Sequence, residues 1–168
     1  MKLTIAALSL FIGLTSCLAQ SKVEIRPETK KTSTLRFDVG FDAGFLTHFY
    51  VTPGSAIGGD LRLQNKFSNK ISWIASAGYT NLRAHSSTVS DLLAIKAGAK
   101  FFMTPTFYLA GEIGLGEYLN GGELLIYTPS AGFQLGKKWD LAVKHETYSN
   151  LSYAFSQIGM RVGYKLSK

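Results

Sequence analysis

The sequence predicts an all-β protein, an eight-stranded antiparallel up-and-down β-barrel that occupies almost the whole mature chain. An alternation of apolar and polar side chains with period two restarts eight times between Thr34 and Leu166. This period is that of a strand with one apolar and one polar face. Turn-forming segments separate the eight runs, and no run after the N-terminus has a helical period. At 168 residues the chain has room for one domain.

The N-terminus precedes the barrel. Residues 1–19 combine Lys2, an apolar stretch and small residues before Gln20, and they are interpreted as a secretory signal peptide. Residues 14–17 also resemble a bacterial lipobox, in which Cys17 would be lipidated and begin the mature chain. The sequence leaves both possibilities open. Residues 20–33 are polar and aperiodic and are predicted to be a periplasmic tail, so the barrel takes residues 34–168.

The first four strands are predicted at about 34–46, 56–67, 70–82 and 90–102. Their apolar faces carry Leu35, Phe37, Val39, Phe41, Ile57, Leu61, Leu63, Ile71, Trp73, Tyr79, Leu93, Ile95 and Phe101. Charged residues, serines and glycines alternate with these side chains. Ile74 is an exception, because it is an apolar residue on a polar face.

The last four strands are predicted at about 105–117, 123–135, 138–148 and 152–166. Their apolar faces carry Phe107, Leu109, Ile113, Leu115, Leu125, Tyr127, Phe133, Leu135, Trp139, Leu141, Val143, Ile158, Met160, Val162 and Tyr164. Pro129 interrupts the sixth run and predicts a local irregularity or a bulge there.

The connections are expected to alternate between tight turns and longer loops. Tight turns are predicted around residues 67–70, 103–105 and 136–138, and mostly longer loops around 47–55, 83–89, 118–122 and 148–152. This arrangement is typical of a transmembrane barrel, with both chain ends on the short-turn side. That side is therefore predicted to be periplasmic.

Three features indicate that the apolar face points outward to lipid. Most of the 17 glycines lie on the polar face, which suits the crowded interior of an eight-stranded barrel. The polar face carries charges of both signs that could pair inside. Aromatic residues recur at one level near the short turns, as in an interfacial girdle, at Phe37, Phe67, Trp73, Phe101, Phe107, Phe133, Trp139 and Tyr164. A sparser second ring is predicted at Phe45, Tyr79 and Tyr127.

Two other classes of protein share some of these features. A soluble lipocalin-like ligand-binding barrel would have the same strand number with its apolar face inward. The formal charge of +7 could suggest nucleic-acid binding, but the basic residues are scattered singly along the strands and the leader indicates export. No nucleic-acid partner is therefore expected.

Residues 34–166 resemble the small outer-membrane β-barrel domains of Gram-negative envelopes, the eight-stranded architecture of OmpA and OmpX. The resemblance implies location in the cell outer membrane, contact with lipid and lipopolysaccharide, and insertion by the barrel-assembly machinery. It is specific for the fold and not for an activity. Members of this group usually end on an aromatic residue, whereas this chain ends Tyr164-Lys165-Leu166-Ser167-Lys168.

One segment offers candidate chemistry. Residues 145–150 (HETYSN) resemble the His-x-Ser-Asn motif of outer-membrane lipid A deacylases, which implies His145 and Ser149 as catalytic residues. The two residues share the outward face but are four apart, which is about 13 Å along a strand, whereas a base acts within about 3 Å of its nucleophile. A lipid-modifying hydrolase is thus the alternative. The favoured prediction is a non-enzymatic barrel with a structural or surface-interaction role, whose loops could bind an unidentified partner, without a cofactor.

The other two histidines do not predict a metal site. His48 and His85 lie in different predicted loops and lack the spacing of metal ligands, so no metal site is expected.

Overall fold

The computed structural model describes residues 35–47, 54–84, 89–150 and 154–166. They form eight strands: β1 (Leu35–Thr47), β2 (Gly54–Lys66), β3 (Ile71–Ala84), β4 (Val89–Phe102), β5 (Phe107–Tyr118), β6 (Glu123–Leu135), β7 (Trp139–Ser149) and β8 (Ala154–Lys165). Each strand pairs antiparallel with its neighbours in chain order, and β8 pairs with β1 to close the barrel. The predicted architecture is confirmed. Within these residues, no helix has the length and apolarity needed to span a membrane.

The predicted signal peptide and tail lie outside the described residues.

The difference in length between the loops and the turns is smaller than predicted. At one end of the barrel the strands are connected by residues 48–53, 85–88, 119–122 and 150–153. At the other end they are connected by residues 67–70, 103–106 and 136–138. Three of the four loops therefore have four residues each, the same length as two of the three turns opposite. The cause is continued pairing towards the loop end, where Ser55 lies opposite Arg83 and Asn81 lies opposite Asp91.

The register of the strands fixes the stagger of the barrel. Paired residues lead around the barrel from Phe37 to Leu63, Ala75, Ala97, Ile113, Tyr127, Thr147, Ser156 and finally Thr47. The circuit returns to β1 about ten residues beyond its start. For eight strands, this stagger corresponds to a tilt of about 40° and to an interior just wide enough for side chains.

The apolar face points outward, as predicted. Phe45 and Ile95 are 75% and 73% exposed on the outer wall, whereas Lys100 and Arg161 are 0% and 1% exposed in the lumen. The lipocalin-like alternative required the opposite orientation and is wrong. The exceptional Ile74 is buried in the lumen against Phe102 and Tyr108, so its position follows the parity of its strand.

The aromatic ring near the short turns is level once the stagger is shared equally among the strands. With height along the strands counted in residues on this basis, seven of the eight aromatic residues lie within about two residues of one another. Phe67 lies about two residues further towards the short turns. Neighbouring rings touch, because the centroids of Phe107 and Phe133 are 5.0 Å apart, as are those of Trp139 and Tyr164. Such a level ring is typical of a girdle at a membrane interface.

Pro129 does not insert a bulge. The β6–β7 register is the same on both sides of it, from Tyr127 opposite Thr147 to Ser130 opposite Lys144, so no extra residue is present. Residue 129 still pairs with Gly111 of β5. The irregularity is a local gap in pairing on the β7 side, which agrees with the missing N–H of proline.

Candidate functional site

The lumen contains a network of paired charges. Arg62 Nη2 lies 2.5 Å from Glu112 Oε1, and Lys100 Nζ lies 2.7 Å from Asp140 Oδ2. Arg161 binds both carboxylate oxygens of Asp60, through Nε at 2.7 Å and Nη2 at 2.5 Å. All these side chains are nearly excluded from solvent, where an unpaired charge would be costly. The network therefore explains how a basic and acidic lumen can exist in a membrane barrel.

Glu146 is the most highly connected acid of this network. It accepts hydrogen bonds from Lys96 at 2.5 Å, Thr128 at 3.2 Å and Gln157 at 3.1 Å, and Lys144 Nζ lies 3.0 Å from it. Two other acids also accept hydrogen bonds from hydroxyl groups. Tyr108 donates to Asp140 at 2.6 Å, and Ser76 donates to Glu112 at 2.8 Å.

An apolar cluster closes the loop end of the lumen. We call it the outer seal, and its buried members are Ala56, Leu82, Leu92, Leu124, Ile126 and Tyr148. Leu46, Ala94, Tyr118 and Phe155 pack against these residues, and the rings of Tyr148 and Phe155 stack with centroids 4.7 Å apart. A polar solute that entered the lumen from the short-turn end would therefore meet a layer with few polar partners.

The outer seal was not predicted from the sequence. Its leucines and isoleucine occupy the same parity as Asp42, Lys96 and Thr128, which had been assigned to the polar face. The signal was present, because on that parity leucines and an isoleucine replace polar residues near the loop ends of β3, β4 and β6.

The outer wall of β7 carries the proposed catalytic pair. His145 is exposed and Ser149 half-buried, and both face outward from the same strand. The structure does not bring them together, because β7 is regular between them and pairs continuously with β8. Ser149 Oγ lies 3.5 Å from the Asn150 carbonyl oxygen, to which it donates. Glu146 points into the lumen and cannot assist His145 on the wall.

A different hydroxyl lies nearer to His145 on the same face. Thr147 is two residues away, which is about 7 Å along the strand. Its Oγ1 lies 3.1 Å from Ser156 Oγ, and Thr47 Oγ1 donates to the Ser156 carbonyl at 3.3 Å. These side chains form a small polar seam across β7, β8 and β1. The seam does not contain a close base–nucleophile pair.

Among the residues that the structure describes, no group of three or more histidine, cysteine or carboxylate side chains could hold a metal ion. His48 and His85 lie outside the described residues.

The two ends of the barrel differ in charge. Among the residues that the structure describes, the charged side chains at the short-turn end that are not buried are all basic: Arg36, Lys66, Lys70, Lys137, Lys138 and Lys165. Near the loop end, the corresponding described residues are Arg83, Asp91, Glu117 and Glu123. The barrel therefore has a cationic short-turn end and a mainly acidic loop end.

Neither a family model nor a curated protein sequence matches this chain. Solved structures do match its fold. The crystal structure of Ail from Yersinia pestis, in complex with the heparin analogue sucrose octasulfate, is similar with a TM-score of 0.57 and 17% identity, covering 80% of this chain and 99% of Ail. The fold is that of the small outer-membrane β-barrels.

Two further outer-membrane barrels have the same architecture. The outer-membrane enzyme PagL matches with a TM-score of 0.58 and 14% identity over 75% of this chain and 97% of PagL. Neisserial surface protein A matches with a TM-score of 0.53 and 12% identity over 81% of this chain and all of the solved one. Because both enzymatic and other barrels share this fold, activity has to be argued from the site.

Proposed function

We propose that this protein is a non-enzymatic outer-membrane barrel with a structural or surface-interaction role. The observation that carries the proposal is the filled lumen, in which charge pairs such as Arg62–Glu112 occupy the middle and the outer seal closes the loop end. A lumen of this kind offers no continuous aqueous path, which argues against a pore. The apolar outer wall and level aromatic ring support a role that is exercised in the membrane.

The partners that follow from this proposal are lipid and lipopolysaccharide around the wall and the barrel-assembly machinery during insertion. Tyr164 stacks edge-on against Trp139, and the backbone N–H of Leu166 donates to the Phe37 carbonyl at 2.8 Å. The end of β8 is thus held in the closing seam of the barrel. We propose that Tyr164 and Leu166 serve as the assembly signal.

A surface partner would meet the loop end. Asp91 accepts hydrogen bonds from Tyr79 at 2.5 Å and from Asn81 at 2.7 Å, and Glu117 lies directly opposite Glu123. Two carboxylates in opposed positions repel each other and favour a cationic neighbour. We therefore propose a partner with basic or neutral polar groups, and the acidic rim disfavours a polyanion such as the heparin analogue bound by Ail.

The proposal is tested by fractionation and electrophysiology. The protein should appear in outer-membrane fractions and migrate differently on gels before and after heating, as a closed barrel does. Reconstituted in planar bilayers, it should show no sustained large conductance. A stable, wide conducting state would overturn the structural role in favour of a pore.

A lipid-modifying hydrolase remains the second candidate, because PagL is an enzyme with this fold and His145 and Ser149 both face the lipid. Deacylation of lipid A by the parent protein is the decisive assay. Its absence removes this candidate. If it occurs, full activity in Ser149→Ala would exclude Ser149 as the nucleophile, and Ser130→Ala, remote from the pair, serves as the matched control.

A further inference from the structure

The short-turn mouth of the lumen combines cations with unpartnered buried polar groups. Arg36, Lys66 and Lys165 line this mouth and are half-buried or exposed. Arg36 lies opposite Gln64 of β2, and Lys66 follows Gln64 by two residues on the same face. Lys165 of β8 lies opposite Asp38 and is therefore a diagonal neighbour of Arg36. Diagonal neighbours of this kind are about 7–8 Å apart, within reach of long side chains. We call these three cations the mouth cluster.

The mouth cluster is not neutralised by the described part of the chain. None of its three members forms an ion pair there, and Arg36 repels the ammonium groups of both Lys66 and Lys165. Asp38 and Asp140 are the nearby acids. Asp140 is bound by Lys100 and Tyr108, so Asp38 alone offsets the cluster. The mouth therefore keeps an excess of positive charge.

A second, independent feature lies beneath the cluster. Gln64 and Ser72 are 0% exposed on the lumen face, and neither the Gln64 amide nor the Ser72 hydroxyl has a hydrogen-bond partner among the residues described. Gln64 lies opposite Arg36, and Ser72 lies opposite Lys66. Buried polar groups in folded proteins are nearly always satisfied, so the Gln64 amide NH2 group and the Ser72 hydroxyl, which can both donate, indicate a ligand that supplies acceptors. The acceptor oxygens Gln64 Oε1 and Asp38 Oδ1 are also buried there without a partner among the described residues.

We propose that this mouth is an oxyanion-binding site that takes a phosphate group, presented by a phospholipid headgroup or as free phosphate. Arg36, Lys66 and Lys165 donate charge-assisted hydrogen bonds to its oxygens, and Ser72 and Gln64 donate from below. Phosphate fits because its several acceptor oxygens match donors arranged around one point. After Asp38 is counted, the cluster keeps two positive charges, which a free phosphate dianion balances fully and a phospholipid phosphodiester balances by half.

The site is accessible from one direction. The outer seal closes the loop end, whereas Lys66 is exposed at the opposite end, with Nζ 5.6 Å from the ring centroid of Phe102. A phosphate therefore enters at the short turns, where the phospholipid leaflet would also lie in the proposed topology.

The test uses the full mature chain in phosphate-free detergent and two probes. Calorimetric titration with inorganic phosphate measures the free anion, and native mass spectrometry compares retention of phosphatidylglycerol with that of phosphatidylcholine. Lys66→Gln and Lys165→Gln should each weaken binding about fivefold, which is the effect of one membrane-proximal charge. Ser72→Ala should weaken it without changing the net charge. Lys137→Gln, at the same end but on a turn, should leave binding within about twofold.

The outcomes separate the two sources. Binding of inorganic phosphate identifies a free oxyanion, and selective retention of phosphatidylglycerol without phosphate binding identifies a lipid headgroup. Absence of both overturns the proposal. An equal loss in Lys137→Gln and Lys66→Gln also overturns it, because it would show a general charge effect. Heat-modifiable migration confirms that each variant is folded before it is compared.

Discussion

Replacing Glu146 by glutamine tests whether the interior charges stabilise the barrel as a network. The substitution preserves shape and leaves an acceptor for Thr128, but it removes the charge that faces two ammonium groups. Lys144 keeps Asp42 at 3.1 Å, whereas Lys96 has no other carboxylate within the described residues. One buried ammonium group is thus orphaned.

The magnitude follows from that single orphan. Breaking a buried ion pair by removing one partner costs about 3–5 kcal/mol, and we expect the free energy of unfolding to fall by this amount. The measurement is urea-induced unfolding in phospholipid vesicles, followed by the fluorescence of Trp73 and Trp139. Glu123→Gln is the matched control, because Glu123 is exposed at the loop end and should change stability by about 0.5 kcal/mol or less.

A second substitution distinguishes the orphaned charge from a simple loss of packing. Lys96→Met in the Glu146→Gln background removes the ammonium group and should restore part of the lost stability. If Glu146→Gln were as mild as Glu123→Gln, or if Lys96→Met made it worse, the interior charges would not act as a paired network and the reasoning would be wrong.

Two further predictions concern the wall and the topology. Val143→Arg, about midway between the two aromatic levels, should cost about 2–4 kcal/mol of folding free energy in vesicles. Val39→Arg lies closer to the ring near the short turns and should cost less. Equal costs for the two variants would contradict the assigned levels. In intact cells, an impermeant thiol reagent should label a cysteine placed at Ser86 but not one placed at Ser68. Labelling at Ser68 alone would reverse the topology.

The fold could be predicted from the sequence because parity alone assigns each side chain to a face. Phe107 and Trp139 could be placed on one ring without knowing any pairing, since each lies close to its own short turn. The ion pairs could not be predicted in this way. Arg62 meets Glu112 and Arg161 meets Asp60 only because the barrel has a particular stagger, which the periodicity of single strands does not contain.

The candidate catalytic pair shows the limit of motif spacing. His145 and Ser149 share a face, as parity predicts, but a regular strand keeps them apart, and parity contains no information about distance along the wall. The mouth cluster was missed for a related reason. Arg36, Lys66 and Lys165 are far apart in sequence, and only the closure of β8 onto β1 brings them to one opening.

Two different layers close the lumen, the apolar outer seal and the ionic layer beneath it, and they make the two ends of the barrel unequal. At the loop end the seal is apolar, so removing one of its contacts, as in Leu124→Ala, leaves a cavity but no orphaned charge. Beneath it the ionic layer is held by specific pairs, and each depends on its partner. Among the described residues, only the short-turn end presents a cluster of cations at the mouth of the lumen that forms no ion pair. We therefore expect an anionic ligand to reach the lumen from that end and to stop where the ionic layer begins, because every acid there except Asp38 is already paired with a cation.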